Sequence, residues 1–281
     1  MAEQTIILDK SQIKRDDLKN SLLKQVIIRL DFSSMINLDG FIDKLAKEDW
    51  FKGSFQTYNK ILSPKESKTS DARTSSNNGD NVNDVRIFSK YIKGPEKDTY
   101  LSLTDQSICV EIKCDKNYEK IDPYVSLVSK VWDLLENQDQ YVNLIRIGIR
   151  KIDGFDANDG KEADHIFEYF DQKCCDISKD TLFDRTYTDT FIRNPERVEV
   201  IYTRKVTIQS NPLGDKNRFI FVLDIDTFVT DRLIMEMKDI SNPRRPTEKE
   251  IESLMMEKIN SVSFDMYKTG IKVGYLLNDK K

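Results

Sequence analysis

The segment RIGIR, residues 146–150, has the two-residue alternation of a β-strand with one covered face. Its isoleucines share one face, and its two arginines lie on the other face at either side of Gly148. A second stretch, residues 26–32 (VIIRLDF), has the β-branched composition and polar boundaries of a buried strand. We predict that these two strands are neighbours in one sheet, because the elements between them form a recognisable unit.

The order of the elements between these two strands predicts the fold class. Residues 26–32 are followed by a helical pattern at about 41–46, strands at about 85–92 and 100–113, a helix from Asp122 to about 137, and the strand at 146–151. Strand, helix, strand, strand, helix and strand in this order is the split β-α-β arrangement of ferredoxin-like domains. We therefore predict an α+β protein in which residues 1–153 form a ferredoxin-like β-α-β-β-α-β half.

The second half, residues 154–281, also alternates between helical and strand patterns. A helix at about 163–170 precedes a hairpin of two strands, 197–209 and 218–226, and Thr247 with Glu250 forms a capping box for a long C-terminal helix. A final strand is predicted at 271–277. This half is predicted to be a second antiparallel α+β unit, either separate from the first or merged with it in one domain. Residues 63–83 contain almost nothing to bury and are predicted to form a mobile loop.

Composition limits the classes of protein that this chain can represent. Apolar residues make up 38% of the 281 residues, which is enough for a sizeable core, and 44 basic against 48 acidic residues give a net charge of only -4. No overall field therefore attracts nucleic acid or an anionic membrane. There is no apolar run long enough to span a bilayer and no signal-peptide pattern, so we expect a cytoplasmic protein without membrane contact. The four cysteines lack metal or disulfide spacing and are interpreted as reduced thiols.

Motifs for the common catalytic chemistries are absent from the sequence. It has neither the phosphate-binding P-loop pattern nor the glycine pattern of dinucleotide-binding folds. Its single histidine, His165, has no serine or cysteine in a suitable context for a nucleophilic triad. We therefore predict no cofactor and no hydrolase triad.

The arginines of the predicted central strand have two interpretations. If residues 26–32 and 146–150 pair, Arg29, Arg146 and Arg150 share one face with Asp31, whereas Ile145, Ile147 and Ile149 face the helices. In the first interpretation, these charges form cross-strand ion pairs, with Asp31 as the partner of the arginines. In the second, Arg29, Arg146 and Arg150 bind an anion or a partner protein, and Gly148 lets that ligand approach the backbone closely. Arg193, Arg197, Arg244 and Arg245 are candidates for a separate basic groove.

Asp224 and Asp226 are the candidate metal ligands. They alternate with Leu223 and Ile225, so both carboxylates project from one face of a strand, as in many two-metal phosphoryl-transfer sites. Pairs of this spacing also serve as ion-pair partners and caps at strand ends. A metal site would need further carboxylates, for which Glu111 and Glu199 are the candidates.

The chain resembles a known family in four places: the strand at residues 26–32, the strand at 146–151, the strand at 221–226 (FVLDID), and the late segment 256–271 that contains Phe264. These resemble a sporadically distributed, uncharacterised bacterial family with an R-I-G-L-R-Y-I-N strand, an L-D-I-D strand and a terminal helix that leads to a phenylalanine. The chain departs from that pattern at Ile149 and at residues 151–153. The family has no established activity, and its patchy occurrence is typical of mobile-element and phage-defence genes.

Two functions are compatible with these observations. The first is a non-catalytic binding protein, an adaptor or sensor that recognises a protein partner, with nucleic acid as a second kind of partner. The alternative is a metal-dependent nucleic-acid-processing enzyme that uses Asp224 and Asp226. The missing catalytic motifs and the family resemblance favour the binding protein.

Overall fold

The computed structural model describes residues 10–18, 22–64, 82–90, 99–114, 120–157, 185–209, 218–237, 240–272 and 277. Among these residues nine strands form a single antiparallel sheet. The strands are β1 (Leu23–Phe32), β2 (Thr57–Pro64), β3 (Val82–Lys90), β4 (Thr99–Leu103), β5 (Ser107–Lys113), β6 (Leu144–Ala157), β7 (Arg185–Arg193), β8 (Val198–Gln209) and β9 (Arg218–Thr230). The helices are α1 (Leu38–Leu45), α2 (Asp122–Gln138), α3 (Asp231–Ile234), α4 (Glu248–Ser253) and α5 (Asn260–Gly270). A π-helical turn, Leu254–Ile259, joins α4 to α5, and two 3₁₀ turns lie at Lys10–Gln12 and Arg15–Asp17.

The strand order is β2-β3-β4-β5-β1-β6-β9-β8-β7, and every neighbouring pair is antiparallel. The protein is therefore an α+β protein, as the sequence predicted, and its described strands all belong to one large sheet. The predicted pairing of the RIGIR strand with the first strand is confirmed, since Arg146 lies opposite Asp31 and Arg150 lies opposite Ile27.

Strand β6 joins the two halves of the chain. It pairs with β1 along one edge and with β9 along the other. The boundary that the sequence predicted between residues 153 and 154 lies inside this strand, and the strands from both sides of that boundary belong to the same sheet. The predicted hairpin is present as β8 and β9, whereas β2 and β7 were not predicted. The predicted helix at 163–170 and residues 65–81 of the predicted loop lie outside the described residues.

One face of the sheet is packed against α2, α4 and α5. The apolar side chains of the central strands point to this face, and Val26, Ile28, Ile147 and Ile149 are fully buried. Helix α2 contributes Trp132, whose indole Nε1 donates a hydrogen bond to the Pro246 carbonyl oxygen at 2.8 Å. The predicted capping box is also present, because Thr247 and Glu250 bond reciprocally at the start of α4.

Two ionisable side chains of β6 also point to the helix-covered face. The Lys151 ammonium group lies in the interior, although the residue as a whole is half-buried, and its Nζ donates to Asn260 Oδ1 at 2.7 Å. Asp153 is buried, and its Oδ2 has no hydrogen-bond partner among the described residues. Burial lowers the pKa of Lys151 to about 7, assisted by the charge of Arg15. Burial raises the pKa of Asp153 to about 7, although the charge of Lys151 acts against that rise.

These two pKa values predict that the joint contribution of Lys151 and Asp153 to the free energy of unfolding has a minimum near neutral pH. Between the ordinary carboxyl pKa and about 7, folded Asp153 keeps a proton that the unfolded chain has lost, so stability falls as pH rises. Between about 7 and the ordinary lysine pKa, folded Lys151 lacks a proton that the unfolded chain holds, so stability rises with pH. Each slope has an upper limit of about 1.4 kcal/mol per pH unit.

Urea unfolding at pH 5, 7 and 9 tests this prediction. Relative to wild type, Asp153→Asn should remove the loss of stability between pH 5 and 7, and Lys151→Met should remove the gain between pH 7 and 9. Variant curves that run parallel to the wild-type curve would contradict it.

Candidate functional site

The sheet face opposite to α2, α4 and α5 carries a row of six charged side chains on three adjacent strands. Strand β1 supplies Arg29 and Asp31, strand β6 supplies Arg146 and Arg150, and strand β9 supplies Asp224 and Asp226. We call these six residues the charge ladder. The ladder contains the three arginines of the predicted anion or partner site, the two aspartates proposed as metal ligands, and Asp31. The structure therefore brings the two predicted sites together in one place.

Four of the six side chains form a continuous chain of ion pairs. Arg29 Nε donates to Asp31 Oδ1 at 2.6 Å, and the other oxygen of Asp31 lies 3.6 Å from Arg146 Nη1. Arg146 Nη2 lies 2.8 Å from each carboxylate oxygen of Asp226. Asp31 is thus a partner of Arg146, as predicted, but Asp226 is the closer one.

Arg150 and Asp224 form the remaining pair. The guanidinium donates from Nε to Oδ1 at 2.8 Å and from Nη2 to Oδ2 at 2.5 Å, a two-bond geometry that is stronger than a single contact. This bond to Asp224 raises the pKa of Arg150. In the pairing register, Arg150 lies opposite Asp226, so its side chain reaches diagonally across to Asp224.

The pKa of Asp226 is shifted by groups that act in opposite directions. Burial raises its pKa, and the charge of Asp224 adds to this rise, whereas the charges of Arg146 and Arg150 lower it. A carboxylate in such a position depends on its arginine partners to remain ionised. Arg146 and Arg150 therefore favour the ionised form of Asp226 and oppose the effect of burial on its pKa.

Gly148 lies opposite Phe228 in the sheet, and the phenylalanine fills the space above it. A Cβ atom at position 148 would lie 2.8 Å from the Phe228 Cβ, a distance at which the two atoms would clash. It would also lie 3.4 Å from Arg146 Cζ. The Arg146 guanidinium carbon also lies 4.2 Å from the centroid of the Phe228 ring, as in a cation–π contact. The close approach predicted at Gly148 is thus made by a side chain of the neighbouring strand.

One residue of the predicted inner face was assigned wrongly. Ile145 was expected to face the helices with Ile147 and Ile149, but it is 45% exposed. The reason is a register irregularity between β1 and β6, where Asp31 pairs with Arg146 and the next residue, Phe32, pairs with Leu144. This bulge gives Leu144 the buried position and leaves Ile145 without a partner in the register.

Asp224 and Asp226 do project from one face, as predicted, but each accepts hydrogen bonds from an arginine. The candidates for further ligands are also engaged: Glu199 accepts from Thr230 Oγ1 at 2.9 Å, and Glu111 accepts from Gln25 at 3.2 Å. Within the described ranges, no three histidine, cysteine, aspartate or glutamate residues are grouped so as to hold a metal ion.

Three of the four arginines proposed for a separate basic groove have side-chain partners among the described residues, and the fourth, Arg244, is exposed. Arg245 closes the C-terminal end of α2, since its Nη1 donates to the Gln140 carbonyl at 2.8 Å and its Nε to Glu136 Oε1 at 3.1 Å. Arg197 forms an ion pair with Glu236, and Arg193 lies near Glu196 and Asp265. His165 lies outside the described residues.

A scan against protein-family models and a search of curated proteins both find no match to this chain. The site must therefore be interpreted from its geometry. In the part of the chain that the structure describes, none of the helices has the length and apolar character required to cross a membrane.

Phe228 is the site residue that the sequence missed. The second strand of the hairpin was predicted to end at residue 226, but β9 continues to Thr230. The signal was available, because residues 227–230 (TFVT) are all β-branched or aromatic.

We predict that Gly148→Ala destabilises the protein by about 1–3 kcal/mol, because the added methyl group displaces Phe228 and, with it, Arg146. Gly154→Ala in the same strand is the matched control. The nearest atoms to a Cβ at position 154 belong to the flexible Lys24 side chain, so this variant should remain within about 1 kcal/mol of wild type. Urea unfolding of both variants measures the difference, and equal effects would show that the Phe228 contact is unimportant.

Proposed function

We propose that this protein is a non-catalytic binding protein, an adaptor or sensor, and that it recognises a protein partner through the charge ladder. The observation that carries this proposal is the exposure of two arginines of the ladder, Arg29 and Arg150. The side chains of Arg29 and Arg150 are 50% and 45% exposed, so both guanidiniums can contact a second molecule while they keep their aspartate partners. Arginine is enriched in protein–protein interfaces for this capacity to make several directed hydrogen bonds.

The charges of the ladder favour a protein partner over a nucleic acid. Three arginines face three aspartates, so the ladder has no net charge and offers no general attraction to a polyanion. Its specificity would come from the pattern of alternating charges, which a partner must match with the opposite pattern. Each partly exposed ion pair contributes only about 0.2–1 kcal/mol, so a partner can exchange one at little cost.

Apolar side chains on the same face can supply the buried area that an interface needs. Ile27 lies opposite Arg150, Ile152 opposite Asp224, and Ile201 opposite Asp226, and all three isoleucines are only partly buried. Farther along the face, Ile192 is 49% exposed. Apolar groups next to directed charges are the composition expected at a specific protein interface.

We further infer that β1, β4, β5 and β6 with α1 and α2 form a ferredoxin-like unit. The spatial order β4-β5-β1-β6, with α2 between β5 and β6 in the chain, supports this inference. The hairpin of β2 and β3 would then be an insertion that extends the sheet beyond β4. Membership of the resembled bacterial family, and a role in a phage-defence or mobile-element module, remain proposals that rest on the residues quoted above.

The metal-dependent enzyme is the weaker alternative. A metal ion at Asp224 and Asp226 would have to displace Arg150 and Arg146 from carboxylates that each accept two short hydrogen bonds. The released guanidiniums would then lie beside the metal ion and repel it.

A charge exchange within the ladder tests the proposed function. The double variant Arg150→Asp with Asp224→Arg keeps an ion pair and the net charge, so its stability should remain within about 1 kcal/mol of wild type. The double variant reverses the order of positive and negative charges that the ladder presents to solvent, so it should no longer bind the partner of the wild-type protein. The assay is a pull-down from the native host with neighbouring genes intact.

The matched control exchanges another cross-strand pair of the same sheet, Arg204→Asp with Asp189→Arg, whose side chains lie 2.7 Å apart on the helix-covered side. This control should recover the partner. If wild type reproducibly recovers no protein, or if the ladder exchange recovers the same partner as wild type, the proposal is wrong.

A further inference from the structure

A recess lies on the helix-covered side of the sheet, which is the side opposite to the charge ladder. It is a cleft of about 220 Å³ between the start of α2, the segment that follows α1, and the adjoining ends of β3 and β4. Its lining includes three aromatic residues, Trp50, Phe55 and Tyr124, and two exposed lysines, Lys90 and Lys130. We propose that this cleft binds a small molecule in which a single flat ring system carries a phosphate group.

The charge of the lining specifies the anion. Among the described residues that line the cleft there are two lysines and no aspartate or glutamate, in a protein whose net charge is -4. A local excess of two positive charges matches a phosphate monoester, which carries a charge near -2 at neutral pH, better than a carboxylate. The lysines come from different elements, β3 and α2, so the anion would bridge the strand and the helix.

The aromatic residues specify the rest of the ligand. Trp50 and Phe55 are partly buried, and both belong to a ring cluster that also contains Phe51 and Phe88, with centroid distances of 5.1–5.9 Å. Tyr124 contributes a third partly buried ring from α2. Rings held in this way offer flat faces and edges on which another ring can stack with little loss of side-chain entropy.

The buried hydroxyl group of Thr99 distinguishes this cleft from an ordinary surface groove. The residue lines the cleft and is 1% exposed, and its Oγ1 has no hydrogen-bond partner among the described residues. A buried hydroxyl without a partner costs about 1–3 kcal/mol, which a fold retains where the group has another use. After rotation of the Thr99 side chain toward the cleft, a phosphate oxygen or a polar edge of the ring would supply the missing partner.

The volume sets the size of the ligand. Pockets for drug-sized molecules begin at about 300 Å³, so this smaller cleft accommodates one flat ring system, its anion and a short linking group such as a sugar. A mononucleotide has these parts. Uridine monophosphate and adenosine monophosphate are therefore the probes, with uridine and inorganic phosphate as fragments.

Tryptophan fluorescence reports on this cleft specifically. The chain contains two tryptophans, and Trp132 is fully buried beneath the sheet, so a ligand in the cleft should quench Trp50 alone. Excitation at the red edge of tryptophan absorption avoids absorption by the nucleotide. At least one of the two mononucleotides should quench the signal, and Trp50→Phe should abolish the change.

Two sets of variants test the assigned roles. Lys90→Gln with Lys130→Gln should weaken mononucleotide binding by about tenfold, because two charge-assisted contacts are lost. Lys205→Gln with Lys249→Gln changes the net charge equally at exposed positions on β8 and α4 and should leave affinity unchanged. Rising salt should weaken binding to wild type more than to the Lys90 and Lys130 double variant.

Thr99→Val separates a ligand contact from a structural role. It removes a buried hydroxyl without a partner, so the melting temperature should stay the same or rise, while mononucleotide affinity should fall several-fold. A purely structural hydroxyl would leave affinity unchanged. The proposal is overturned if neither mononucleotide quenches Trp50, if uridine binds as tightly as its monophosphate, or if the Lys90 and Lys130 double variant binds normally.

Discussion

The pairing of β6 with both β1 and β9 is the constraint on which the rest of this structure depends. In the sheet order, β2 to β5 lie beyond β1, and β7 and β8 lie beyond β9, so every other strand is linked to β6 only through β1 or β9. The pairing places Ile147 and Ile149 against the helices and turns Arg146 and Arg150 to the opposite face, so one strand fixes both the core and the charge ladder. Gly148 permits the close packing of β9 that this arrangement requires.

In the function that we propose, the charge ladder acts as a recognition surface and not as a reaction site. Its carboxylates are neutralised by neighbouring guanidiniums, so neither sign is free to bind a metal ion or a polyanion strongly. Because the pairs are partly exposed, they can rearrange when a complementary surface arrives. The aromatic cleft between α2 and the strand ends differs from the ladder, since it is a small recess whose described lining combines three aromatic rings with two lysines.

The sequence allowed the central strands, α2 and the capped C-terminal helix to be predicted, because each carries a periodic apolar pattern over its whole length. It did not reveal β2 or β7, whose residues are mostly exposed on both faces and therefore carry no clear alternation. The choice of partner in the ladder could not be predicted either. Asp31 was identified from the pairing of β1 with β6, but Asp224 and Asp226 are reached diagonally, which depends on the register of β9 and on the ring of Phe228.

The strand order also has a consequence for how the chain is made. Strand β1 lies at the sheet centre, yet its two partners are β5, at Ser107–Lys113, and β6, at Leu144–Ala157. During synthesis, the apolar residues of β1 leave the ribosome long before either partner exists. Long-range pairing of this kind is slow, so both edges of β1 stay unpaired until residue 113 has emerged, and its second edge stays unpaired until residue 157 has emerged.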